Sequence, residues 1–137
     1  MRKLKTFLPP LFFAAGFFSC SGSMLAAEIP SPAGTWRGES KCTTDAPACH
    51  DEHVVYYVEA VPGRPDQLSI RADKIIDGKA ITMGSGPWNY DAKKQTISFE
   101  SNRGLWLLAV HGDHIDGTLT VDGNVVFRHM RLTLDSQ

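Results

Sequence analysis

The sequence predicts an all-β fold, an up-and-down antiparallel barrel of about eight strands, and three observations carry the prediction. Apolar and polar residues alternate with period two in segment after segment, the mark of strands buried on one face. Turn chemistry recurs at a spacing of roughly ten residues, as in a β-meander. Beyond the first 27 residues no long stretch shows helical spacing, and glycine and proline interrupt too often for a helix. Eight such strands close most simply into a barrel, which removes the exposed edges of an open sheet. A two-sheet β-sandwich is the alternative.

The chain opens with "MRKLKTFLPPLFFAAGFFSCSGSMLAAE", in which Arg2, Lys3 and Lys5 precede an apolar run from Phe7 to Phe18 and a small-residue tail. This is the layout of a secretion signal. The run is well short of the ~20 residues of a membrane-spanning helix, and Pro9 and Pro10 interrupt it. Residues 1–27 therefore read as a signal peptide cut near Ala27. A variant reading ends the signal before Cys20, whose surroundings "FFSC" resemble a lipoprotein signal with Cys20 as the lipidated residue. Residues 28–33 are a Pro-containing lead-in, and residues 34–137 are one barrel domain. The expected location is the periplasm or the extracellular space, with a lipid anchor to the outer membrane as the variant.

The elements follow in order. In "TWRGESKC" Arg37, Glu39 and Lys41 fall on one side, and Trp36, Gly38, Ser40 and Cys42 on the other. In "HVVYYVEAV" Glu59 marks the wet face, so Val54, Tyr56, Val58 and Ala60 point in. "QLSIRAD" sets Leu68, Ile70 and Ala72 against Ser69, Arg71 and Asp73. A short strand "KAITM" follows the Asp77-Gly78 turn, and "QTISFES" follows "DAKK". "LWLLAV" is apolar on both faces. "HIDGTLTV" directs Ile115, Gly117, Leu119 and Val121 inward. The last strand, "NVVFRHMRLTL", follows Asp122-Gly123, a pair whose glycine tolerates the positive φ of tight hairpins.

Charge excludes one class of function. Three of the 14 Lys and Arg residues precede residue 28 while all 15 Asp and Glu residues follow it, leaving a net charge of −4. Nucleic-acid binders carry a basic stripe, and this chain has none, so no nucleic-acid partner is expected. With Cys20 removed or lipidated, Cys42 and Cys49 remain. In an oxidising compartment such a pair is most simply a disulfide.

The final strand holds a charge among apolar neighbours: Arg128 shares a face with Val126, Met130, Leu132 and Leu134. A buried charge needs a partner. If first and last strands pair, Arg128 is expected to stack on Trp36, a cation–π contact of ~2 kcal/mol when desolvated. On these residues, "AGTWRG" at 33–38 with Arg128 (or Arg131) on a late strand, the chain resembles the calycin superfamily of lipocalins, fatty-acid-binding proteins and avidins. That resemblance implies a Gly-x-Trp packed beneath a barrel and a basic residue covering it. The run Cys-x6-Cys-His-Asp-Glu-His-Val-Val-Tyr also resembles small exported bacterial proteins of unknown function, which supply no activity.

His50-Asp51-Glu52-His53 is the richest polar cluster, and its donors suit zinc or copper. The competing reading makes Asp51 and Glu52 loop caps and leaves both histidines solvated. "HGDH" at 111–114 reads as a hairpin turn at the opposite end of the barrel, and His129 as a surface residue. There is no Gly-x-Ser-x-Gly elbow, His-Glu-x-x-His or phosphate loop. No catalytic residue is assigned and no cofactor is required. The leading expectation is a non-catalytic barrel that binds a small apolar molecule, with Trp36, Tyr56, Phe99 and Arg128 as ligand-binding residues. The alternatives are metal capture by His50 and His53, and a protein-interaction or inhibitor module built on the Cys42–Cys49 loop.

Overall fold

The computed structural model describes Gly22 and residues 30–136. The signal-peptide reading, cleavage near Ala27 and lipidation of Cys20 fall outside the described residues. Eight strands follow one another: β1 Gly34–Cys42, β2 Glu52–Val61, β3 Arg64–Ile76, β4 Lys79–Asp91, β5 Thr96–Ser101, β6 Gly104–His111, β7 His114–Val121 and β8 Val125–Ser136. Each pairs with the next, and β8 returns to β1, so the sheet closes on itself. All pairings are antiparallel. Closure sets aside the sandwich and matches the architecture that the calycin resemblance implies. No described helix is long and apolar enough to cross a membrane.

The alternation of the sequence is the cause of the core. Trp36, Val54, Tyr56, Val58, Leu68, Ile70, Ile97, Leu108, Ile115, Met130 and Leu132 are buried in one cluster inside the cylinder. Ala60 is the exception: it was expected inside and is exposed, because a bulge between Ala60 and Val61 disrupts the β2–β3 pairing there. The hairpins use the chemistry expected of them. Asp77 and Gly78 both have positive φ (51° and 75°), the two-residue turn whose twist matches the strands it joins.

The seam between β1 and β8 decides the register of the whole ring. It sets Trp36 opposite Leu134, Gly38 opposite Leu132, Ser40 opposite Met130 and Cys42 opposite Arg128. At Gly38 the chains approach so closely that a Cβ would overlap the carbonyl oxygen of Arg131. Glycine is therefore required there by contact with backbone rather than by φ.

β4 is longer than the sequence pattern indicates. The strand expected to end with "KAITM" runs on through Gly84, Gly86 and Pro87 to Asp91. Glycine and proline are tolerated because most of β4 is an edge: only Asn89, Tyr90 and Asp91 pair with β5, opposite Ser98, Ile97 and Thr96. Above Asn89 the strand pairs, among the described residues, with β3 alone.

Candidate functional site

The two ends of the barrel differ in chemistry. The lower end, where β1 begins, is sealed. Trp36 is 1% exposed, and its indole N–H donates to the Pro32 carbonyl oxygen at 2.9 Å, folding the lead-in beneath the core. The His111–His114 hairpin lies at this end too, tied down where the Leu134 N–H donates to the Asp113 oxygen at 2.7 Å. Its imidazoles sit 5.3 Å apart, and His114 Nδ1 is 3.3 Å from Asp113 Oδ1.

The upper end carries a chain of charges. Arg128 points inward with its side chain 11% exposed, and Nη1 donates to the carbonyl oxygen and Oγ of Ser40 at 3.3 and 3.2 Å. Glu52 Oε2 lies 3.6 Å from Arg128 Nη1, and Glu52 Oε1 lies 3.9 Å from Lys74 Nζ. A buried arginine is tolerable only with such partners. The expected stack on Trp36 does not form. Arg128 pairs with Cys42, six residues along β1 from Trp36, roughly 20 Å at the rise of a strand. Alternation assigned Arg128 to the correct face, but a face does not fix height. Arg128 thus braces the rim and does not secure the closed end. Arg131 faces outward and bonds Asp116 at 3.1 Å.

The disulfide joins Cys42 to Cys49 across the β1–β2 loop. Within that loop Asp51 Oδ1 accepts a hydrogen bond from the Cys42 N–H at 2.8 Å, so Asp51 caps the loop as one sequence reading held. Glu52 does not; it turns inward to Arg128 and Lys74. His50 and His53 are both exposed, His50 in the loop and His53 paired opposite Glu39 and Ile75. Among the described residues no group of three or more His, Cys, Asp or Glu side chains converges on a point where a metal ion would sit.

Between the sealed floor and the charged rim lies a cavity of about 230 Å³, lined chiefly by Tyr56, Ile70, Met83, Trp88, Phe99 and Trp106. It opens where β4 leaves β5. The rings pack on one another: Trp88 lies 5.3 Å from Phe99, 6.3 Å from Tyr56 in an edge-on arrangement, and 6.5 Å from Trp106. Such offset and edge-on pairs hold aromatic walls in place. The wall contributed by β4 is thin, since Gly84 and Gly86 face the space and a Cβ on either meets nothing within 4 Å.

Tyr56 is the polar group of the wall. Its hydroxyl lies 3.5 Å from Met130 Sδ, to which it donates. Burial, reinforced by the Glu52 carboxylate and partly offset by Arg128, pushes its phenol well above the ordinary tyrosine range. This burial favours the neutral phenol.

Of the residues singled out from sequence, Tyr56 and Phe99 line this cavity together. Neither Trp36 nor Arg128 is among the lining residues. Trp88, Trp106 and Met83 were not singled out. Trp106 was hidden in "LWLLAV", which is apolar on both faces. Trp88 was hidden by "GSGP", which reads as a break although the strand continues through it. The alternation of Trp88 and Tyr90 against Pro87 and Asn89 was the available signal. No known protein family matches this chain, and no curated protein matches it significantly.

Proposed function

We propose that this protein is an exported, non-catalytic barrel that binds a small, flat apolar molecule in the aromatic cavity. The observation that carries the reading is the cavity itself: about 230 Å³ of space, walled by four aromatic rings and a methionine. A dry apolar cavity of about 150 Å³ is enough to hold benzene, so this one suits a bicyclic aromatic or a short branched hydrocarbon. A bicyclic probe burying about 250 Å² gains roughly 6 kcal/mol from the hydrophobic effect. Before the costs of association this corresponds to a dissociation constant of roughly 30 μM, so weaker binding than that is expected. The disulfide supports export, since such bonds persist in oxidising compartments. The one ionisable side chain of the wall is a phenol held neutral, which supports binding over acid–base catalysis.

Titration with naphthalene and indole, followed by tryptophan fluorescence and by two-dimensional NMR, tests the reading. Trp88 and Trp106 signals should shift while Trp36, beneath the floor, should not. Gly84→Leu, which projects a side chain into the open space, should weaken binding at least tenfold. Unchanged Trp88 and Trp106 signals at millimolar probe, or equal binding by Gly84→Leu, would sink the proposal.

A further inference from the structure

The hairpin between β6 and β7 brings two imidazoles together on the outer surface of the barrel, and neither lines the aromatic cavity. His111 and His114 pair directly across the hairpin. Their neighbours Val110 and Ile115 are buried inside, so both imidazoles leave the outer face side by side. The ring centres lie 5.3 Å apart with planes tilted by 30°. Two imidazoles binding one metal at about 2.0–2.1 Å, at an angle of about 90–110°, hold their ring centres about 4.5–5 Å apart. A small rotation of exposed side chains therefore suffices to bring both onto one ion. The backbone beneath them is fixed: Gly112 takes a positive φ of 65°, and the Asp113 carbonyl oxygen accepts from the Leu134 N–H at 2.7 Å.

Two carboxylates complete the surroundings. His114 Nδ1 lies 3.3 Å from Asp113 Oδ1. With its proton on Nδ1, directed at that carboxylate, the ring keeps its lone pair on Nε2. A carboxylate behind one ring nitrogen is the usual orienting partner of a metal-bound histidine. Asp116 Oδ2 lies 3.9 Å from His111 Nε2, while Arg131 holds Asp116 Oδ1 at 3.1 Å. Asp116 thus adds negative charge beside the pair without leaving its own partner. The two imidazole side chains are 54% and 45% exposed, so a hydrated ion reaches them directly. We infer that His111 and His114 form a two-nitrogen site for a divalent transition metal, taking copper most tightly and nickel or zinc more weakly. Imidazole suits these ions, and copper leads the order of affinity. Calcium and magnesium, which take oxygen ligands, are excluded. Among the described residues no third His, Cys, Asp or Glu converges on the pair, so water completes the coordination and the ion is exchangeable. The inference is independent of the small-molecule reading and of its cavity.

Titration of the protein, purified without a polyhistidine tag, with copper(II), zinc and magnesium chlorides tests it by calorimetry and two-dimensional NMR. Copper and zinc should bind and magnesium should not. Zinc should shift the ring signals of His111 and His114 first. Paramagnetic copper should broaden the amides of 110–115 before those of 50–53. His111→Gln and His114→Gln, both at exposed positions, should each weaken copper binding at least tenfold and leave the thermal midpoint unchanged. A double variant, His50→Gln with His53→Gln, should bind as the parent does. No binding at millimolar copper or zinc, or unchanged affinity in His111→Gln or His114→Gln, overturns the inference. So does a loss of the tightest binding in the His50→Gln, His53→Gln variant, which would place the ion at the opposite end of the barrel.

Discussion

Replacing Arg128 by methionine probes whether the upper rim is held by charge. The guanidinium is nearly buried, donates twice to Ser40, and lies 3.6 Å from Glu52. Removing one member of a buried pair costs about 3–5 kcal/mol, because the other charge is left without compensation. The low end applies here: Glu52 is 23% exposed and keeps Lys74 at 3.9 Å. A loss of about 3 kcal/mol follows. A domain of about a hundred residues unfolds with an entropy near 0.21 kcal/mol/K, so the midpoint should fall by roughly 14 °C. Adding Glu52→Gln removes the stranded carboxylate and should recover about half the loss, a positive coupling in a double-mutant cycle. Thermal unfolding by circular dichroism and calorimetry of the four proteins gives the answer. A fall under about 4 °C in the single variant, or strict additivity in the double, would refute the view of Arg128 as a brace.

Three other outcomes follow from the structure. Gly38→Ala drives a Cβ into the backbone of β8 and should cost about 3 kcal/mol, whereas Gly84→Ala meets open space and should be neutral or slightly stabilising; urea midpoints of the pair compare them directly. Cys42→Ser with Cys49→Ser opens the loop closed by the disulfide and should lower stability by about 2.5 kcal/mol in the chain-entropy model, read from denaturant curves with no change expected in circular dichroism. Tyr56 has its phenol pKa raised by burial and by Glu52. Above pH ~10 the unfolded chain ionises this tyrosine and the folded one does not, so stability is complete below that pH and falls as pH rises beyond it. Absorbance at the phenolate band should show one tyrosine titrating only as the fold is lost, and Tyr56→Phe should remove that step.

The strands were legible because the cause of each is local. Val54, Tyr56 and Val58, or Ile115, Gly117 and Leu119, alternate with polar neighbours, and the period alone assigns them to the interior. The turn at Asp77-Gly78 was legible for the same reason, since two adjacent residues set its geometry. The spacing of Cys42 and Cys49 announced a disulfide, and eight strands without a covered edge favoured a barrel over the sandwich that the structure sets aside.

What the sequence by itself determined, then, is which side of most strands faces in and where the chain turns, with a barrel preferred over a sandwich. Tertiary structure alone decided height along the cylinder and the strength of each seam. Trp36 and Arg128 share an interior and a pair of neighbouring strands, yet register holds them at opposite ends, because period-two alternation repeats identically at every level of a strand. The cavity likewise arises from a non-local event, the parting of β4 from β5 above Asn89. No residue in "GSGPW" encodes that gap alone. It exists because the strands on either side pair elsewhere, leaving Trp88, Phe99 and Trp106 around space that none of them fills.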